Sequence, residues 1–123
     1  MTRKHGELET QVLDALWSLE ESGVSEITSS DILDALGTKD AIALTTLLTV
    51  LSRLCDKGLV VRTKSSGRNL VFKSSQSRED QAASALLALL ENSNNPDLVV
   101  SHFVGSLSPD LKEALRKSLR KKN

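Results

Sequence analysis

Three threonines, Thr45, Thr46 and Thr49, stand close together near the middle of the chain, and Arg53 and Lys57 follow them. A threonine hydroxyl can donate to or accept from a base edge, and its methyl group can pack on the methyl of thymine. Arginine and lysine suit phosphate oxygens, contacts that give salt-dependent affinity but little sequence information. Arg62, Lys64 and Arg68 extend the basic set, with Arg68 beside Gly67. Two readings stay open at this point. Threonines at a helix start also serve as caps, and Arg53 can pair with Asp56, three residues on.

Other chemistries have weaker support. His5 and His102 are far apart, and there is no paired-cysteine, His-Glu-x-x-His, glycine-rich phosphate-loop or nucleophile-elbow pattern. Cys55 reads as a small buried hydrophobe, against the alternative of a reactive thiol. No enzyme activity, metal or cofactor is expected. A single cysteine excludes an internal disulfide and fits a reducing compartment. No apolar run approaches the roughly 18–20 residues that span a bilayer, and Met1-Thr2-Arg3-Lys4 leads into charge. A cytoplasmic protein with no membrane insertion is the expectation.

Formal net charge is zero, yet the charges are segregated. Eight acidic residues and no Lys or Arg fall within 5–36, whereas 37–75 holds seven basic residues against Asp40 and Asp56. A local basic surface on a neutral chain suits a nucleic-acid partner, although a solvated basic hairpin would carry the same charges.

These residues need elements to hold them. In 7–21, Leu8, Val12, Ala15, Leu16 and Leu19 recur at helical steps, with Trp17 beside them as a core anchor. Thr28 and Asp31 form a capping box for a second short helix, in which Ile32, Leu33 and Leu36 face inward before Gly37 ends it. Residues 24–28 can supply a short strand. A third helix over 43–57 sets Leu44, Leu47, Leu48, Leu51, Leu54 and Cys55 on one face, and Gly58 stops it. Strands over 59–62 and 69–73, joined by a turn at 64–68, complete a β-hairpin. Helix, helix, helix, hairpin is the order of a winged helix-turn-helix, whose third helix enters the major groove. The expected fold is therefore mainly α with a small β-hairpin wing, followed by a helical dimerisation arm.

Residues 1–75 form the reader in this scheme, and 76–123 the arm. Its first helix, 78–91, is apolar nearly all round. Pro96 opens a second helix through Val99 and Phe103 that Gly105 closes, and Ser108-Pro109 opens a third carrying Leu111 and Leu115. Three short helices cannot bury that much Leu and Ala alone. Ala83, Leu86, Leu87, Leu90, Val99, Phe103, Leu111 and Leu115 are thus expected to pack against a second copy, giving a homodimer.

The order of these residues resembles the penicillinase-repressor family, which includes methicillin-resistance and copper-transport repressors. Leu44-Thr45-Thr46, Thr49, Leu51, Arg53-Leu54 and Lys57-Gly58-Leu59 are similar to that family's loose helix pattern. Gly6-Glu7-Leu8-Glu9, Trp17, Gly67-Arg68 and Ser101-His102-Phe103-Val104 fit the same template. The resemblance implies a homodimeric repressor on a palindromic double-stranded operator, controlling β-lactam-resistance genes. A membrane-bound sensor metalloprotease is the further implied partner, cutting the arm before a Phe. His102-Phe103 is the matching pair, with His where the better-known members have Asn. Leu44 replaces the usual aromatic, and the Cys-x-Cys tail of copper-responsive members is absent. A winged-helix protein-interaction module and a ligand-responsive regulator of another family are the alternatives.

Overall fold

A complete capping box opens the second helix in the computed structural model, which describes residues 5–121. The Asp31 N–H donates to the Thr28 hydroxyl at 3.2 Å, and the Thr28 N–H donates to the Asp31 carboxylate at 2.9 Å. Two amides at the helix start are thereby satisfied. The element order is α1 (His5–Glu21), α2 (Ser29–Leu36), α3 (Leu44–Asp56), β1 (Val60–Lys64), β2 (Leu70–Ser74), α4 (Arg78–Glu91), α5 (Pro96–Ser106) and α6 (Pro109–Arg120). Readings that concern Met1 to Lys4 lie outside the described residues, as does the His5 side chain.

The first five elements close around one core. Val12, Leu13, Ala15 and Leu16 of α1 meet Ile32 and Leu36 of α2, Leu47, Val50, Leu51 and Leu54 of α3, and Val60 and Phe72 of the hairpin. Trp17 packs at the edge of this cluster, half-buried. Gly37 and Gly58 follow α2 and α3 with φ of +67° and +77°, a region costly for residues with a Cβ, so both helices stop where the sequence predicts. The expected short strand at 24–28 reduces to one bridge, Ile27 with Phe72, in which the Phe72 N–H donates to the Ile27 carbonyl at 2.8 Å. This is the mainly helical winged helix-turn-helix.

Two expectations about these elements change. Leu44 and Leu48 do not face the core; they are 48% and 41% exposed, and Val50 is buried in their stead. Residues advance about 100° around a helix, so 47, 50, 51 and 54 form one stripe that 48 falls well off, while 44 lies close to the direction of 51 but is exposed as the first residue of the helix. The strands also begin one residue later than their alternation suggests. Antiparallel pairing runs from Val60 with Ser74 to Lys64 with Leu70. Alternation is blind to a small slip, and the turn geometry sets the register.

The chain divides into two compact units between Gln81 and Ala82. The sequence reading sets the joint at 75–76, but the first residues of α4 are fastened to α1 and belong with it. In the second unit the Asn95 side chain caps α5 and Ser108 caps α6, accepting from the N–H groups of Leu98 and Leu111. Pro96 and Pro109 occupy the first turns. The α5 helix runs through Gly105 to Ser106. None of the described residues of α4, α5 or α6 is buried.

Candidate nucleic-acid interface

The face of α3 turned away from the core carries Thr45 and Thr49, both exposed, with Leu44 and Leu48 on one flank. Thr46 and Arg53 are half-buried on the other flank. The three threonines are therefore not equivalent. The Thr49 hydroxyl donates to the Thr45 carbonyl at 3.0 Å, one turn back, which leaves its methyl group and acceptor lone pairs for other use. Ala43 begins the helix with no side-chain cap, so the first-turn amides have no acceptor of the kind that Thr28 supplies to α2.

The hairpin stands beside this helix and is exposed along most of its length. Arg62 pairs across the sheet with Phe72, and Lys64 with Leu70, so both cations project from one face of the hairpin. At the tip the Ser65 N–H donates to the Asn69 carbonyl at 2.8 Å and the Arg68 N–H to the Ser65 carbonyl at 2.9 Å. This loop closes on a left-handed residue, a position usually given to Gly. Arg68 occupies it, with φ of +69°, rather than the neighbouring Gly67; it is the one non-glycine residue with positive φ among those described. Holding a Cβ residue there costs on the order of 1 kcal/mol. Such strain persists only where the surrounding structure fixes the backbone, here the hydrogen-bonded turn between Ser65 and Asn69.

Lys57, grouped with the phosphate contacts by its sequence neighbours, has a different engagement. Its Nζ lies 2.5 Å from Glu9 Oε1, and Glu9 is only 9% exposed, the buried charged residue among those described. The pair ties the end of α3 to α1. No local pattern announces it, because 48 residues separate the partners.

A second set of polar contacts fastens the chain after the wing. Glu20 accepts from the Ser74 N–H at 2.8 Å and the Ser74 hydroxyl at 2.6 Å. The Trp17 indole N–H donates to the Gln76 carbonyl at 2.9 Å. Arg78 follows, bonded to Glu21, Asp14 and Ser18, with its guanidinium 5.3 Å above the Trp17 ring. Hydrogen bonds donated to Glu21 and then to Asp14 hold that guanidinium charged, raising its already high ordinary pKa. Sequence reasoning treats this stretch as a polar joint and misses the latch. The signal available was the spacing of Asp14, Trp17, Ser18 and Glu21, which share one face of α1.

The second unit displays the expected dimerisation residues without a core beneath them. Leu86 and Leu87 are exposed by more than half, as is Leu111; Phe103 is 50% exposed, and Leu90 and Leu115 are half-buried. Ala83 and Val99 are exposed as well. An apolar recess of about 420 Å³ is lined by Leu86, Leu87, Leu89, Leu90, Val99, Val100 and Phe103. His102 and Phe103 lie inside α5, exposed, and the His102 carbonyl accepts from the Ser106 hydroxyl at 2.9 Å. Among the described residues no group of His, Cys, Asp and Glu is placed to hold a metal ion. No helix among them is long and apolar enough to cross a membrane.

The model of the penicillinase repressor family matches residues 5–121. The transcriptional regulator BlaI of Mycobacterium tuberculosis (strain CDC 1551 / Oshkosh) is 32% identical over 117 residues, covering 93% of this chain and 81% of that protein. Among solved structures, MepR, a transcription regulator of the Staphylococcus aureus multidrug efflux pump MepA, is similar with a TM-score of 0.49 and 19% identity. The match covers 91% of this chain and 73% of MepR. BpsR of Bordetella bronchiseptica gives a TM-score of 0.47 at 18% identity, over 92% of this chain and 75% of that one.

Proposed function

The chain belongs to the penicillinase repressor family, and on that premise we propose that it is a homodimeric repressor of a palindromic operator. Its standing as a transcriptional regulator, and not an enzyme, follows from the family. Each half-site takes one α3 in the major groove and one wing along the backbone. Thr45, Thr46 and Thr49 face base edges, while Arg53, Arg62, Lys64 and Arg68 meet phosphates. Lys57 keeps its pair with Glu9 and supports the helix from behind. The regulated genes are those of β-lactam resistance, and the protein works in the cytoplasm, where the DNA is.

One observation carries the dimer: the second unit has helices and caps but no buried residue among those described. Each half-exposed leucine forgoes roughly 1 kcal/mol of burial that a second copy would recover. Two linked half-site readers then gain affinity through effective concentration, and weakening the arm removes that gain. A membrane-bound sensor metalloprotease that cuts His102-Phe103 would act in this way. The bond lies within a helix, so α5 must open before a protease can take it as an extended strand.

Sedimentation and duplex binding test the proposal together. The full chain is expected to be dimeric at micromolar concentration and to bind a palindromic duplex selected from a random pool. Affinity falls with salt, with a log–log slope of about 0.9 per phosphate contact. A monomer at that concentration, or indifference to every duplex, would overturn it.

A further inference from the structure

Leu44 and Leu48 stand one helical turn apart on α3, and neither is used by the core. Leu47, Val50, Leu51 and Leu54 already fill the inward stripe at 1% exposure or less. A leucine left 40–50% exposed forgoes about half of what full burial would give, so core packing alone does not explain the pair. They flank the outward-facing Thr45 and Thr49 along one edge of the first two turns, and Thr49 has spent its hydroxyl proton on the Thr45 carbonyl. That edge consequently offers two isobutyl groups beside the methyl groups of Thr45 and Thr49, with the Thr45 hydroxyl among them. The hairpin beside it carries the exposed cations Arg62, Lys64 and Arg68, which match a polyanion.

In the major groove the apolar group that a base edge presents is the 5-methyl of thymine. We propose that Leu44 and Leu48 are specificity-determining residues that pack on thymine methyl groups, so that the half-site is read largely by methyl contact. This rests on the DNA-binding reading above.

The test uses the full chain and an operator selected from random duplexes. Each thymine of one half-site is replaced in turn by deoxyuridine, which deletes the 5-methyl and keeps every hydrogen-bonding group. At one or two positions the replacement should weaken binding about fourfold, the value of one buried methyl. That penalty should vanish in Leu48→Ala or Leu44→Ala, each of which should stay folded with its thermal unfolding lowered by no more than about 4–8 °C, because both side chains lie outside the core. Tight binding indifferent to deoxyuridine at every position overturns the inference alone. So does a penalty that survives unchanged in both leucine variants. A chain that selects no duplex overturns the DNA-binding reading, and this inference with it.

Discussion

The two units use the same apolar vocabulary of Leu, Val and Ala to opposite ends. The first brings stripes from three helices and a hairpin onto one centre, where Val12, Leu16, Ile32 and Leu47 lose all contact with water. The second has well-capped helices and an apolar recess, yet Leu89 remains 74% exposed and Leu119 76%. Local helix signals are thus sufficient for a helix but not for a core, which needs enough layers to enclose a side chain. A unit that completes its own core can be a self-sufficient reader. One that cannot leaves its apolar surface to water unless a partner covers it, which in the proposed dimer is a second copy.

That contrast can be broken by experiment, starting with the largest effect. Leu51→Ala should cost about 2–5 kcal/mol in chemical denaturation, by the same amount at every protein concentration. A loss that depended on concentration would mean that the first unit also relies on a partner. Phe103→Glu should leave the unfolding of the first unit unchanged but raise the dimer dissociation constant at least about 100-fold, since it buries a charge on both sides of a symmetric interface. Sedimentation would show it, and an unaltered dimer would end the claim that the arm's recess is the contact.

Smaller effects sharpen the division of labour inside the first unit. Lys57→Met should lower stability by about 1–3 kcal/mol, because it strands the Glu9 carboxylate. The salt slope of DNA binding should not move; a shallower slope would restore Lys57 to the phosphate contacts. Arg68→Gly should leave stability unchanged or raise it by up to about 1 kcal/mol, because relief of the left-handed strain is partly offset by the added freedom of the unfolded chain. The same change should make the salt slope shallower by about 0.9 per subunit. A variant that gained stability at no cost in DNA affinity would show that the strain at the wing tip serves no contact.

Much of the architecture is legible from residues close together in sequence. The Thr28–Asp31 box, the stops at Gly37 and Gly58, the starts at Asn95-Pro96 and Ser108-Pro109, and the basic hairpin each depend on neighbours within a turn or so, and those neighbours are written next to one another. The apolar surplus of 78–91 is legible for the same reason, as composition. The candidate site is only partly so. The threonines of α3 and the basic residues of the hairpin can be read from the chain, whereas the exposure of Leu44 and Leu48 and the pairing of Lys57 with Glu9 cannot.

What the sequence determined by itself is therefore where helices and strands begin and end and which residue types the reading surface has to offer. Only the tertiary structure decided that Leu48 faces out and Val50 in, that Lys57 answers Glu9 across the core, that Arg78 latches onto Asp14 and Glu21, and that Arg68 rather than Gly67 takes the strained position. A leucine has the same hydropathy on either side of a helix, and a charge does not name its partner. Those choices are made by the direction in which each element packs, which involves contacts between residues far apart in the chain.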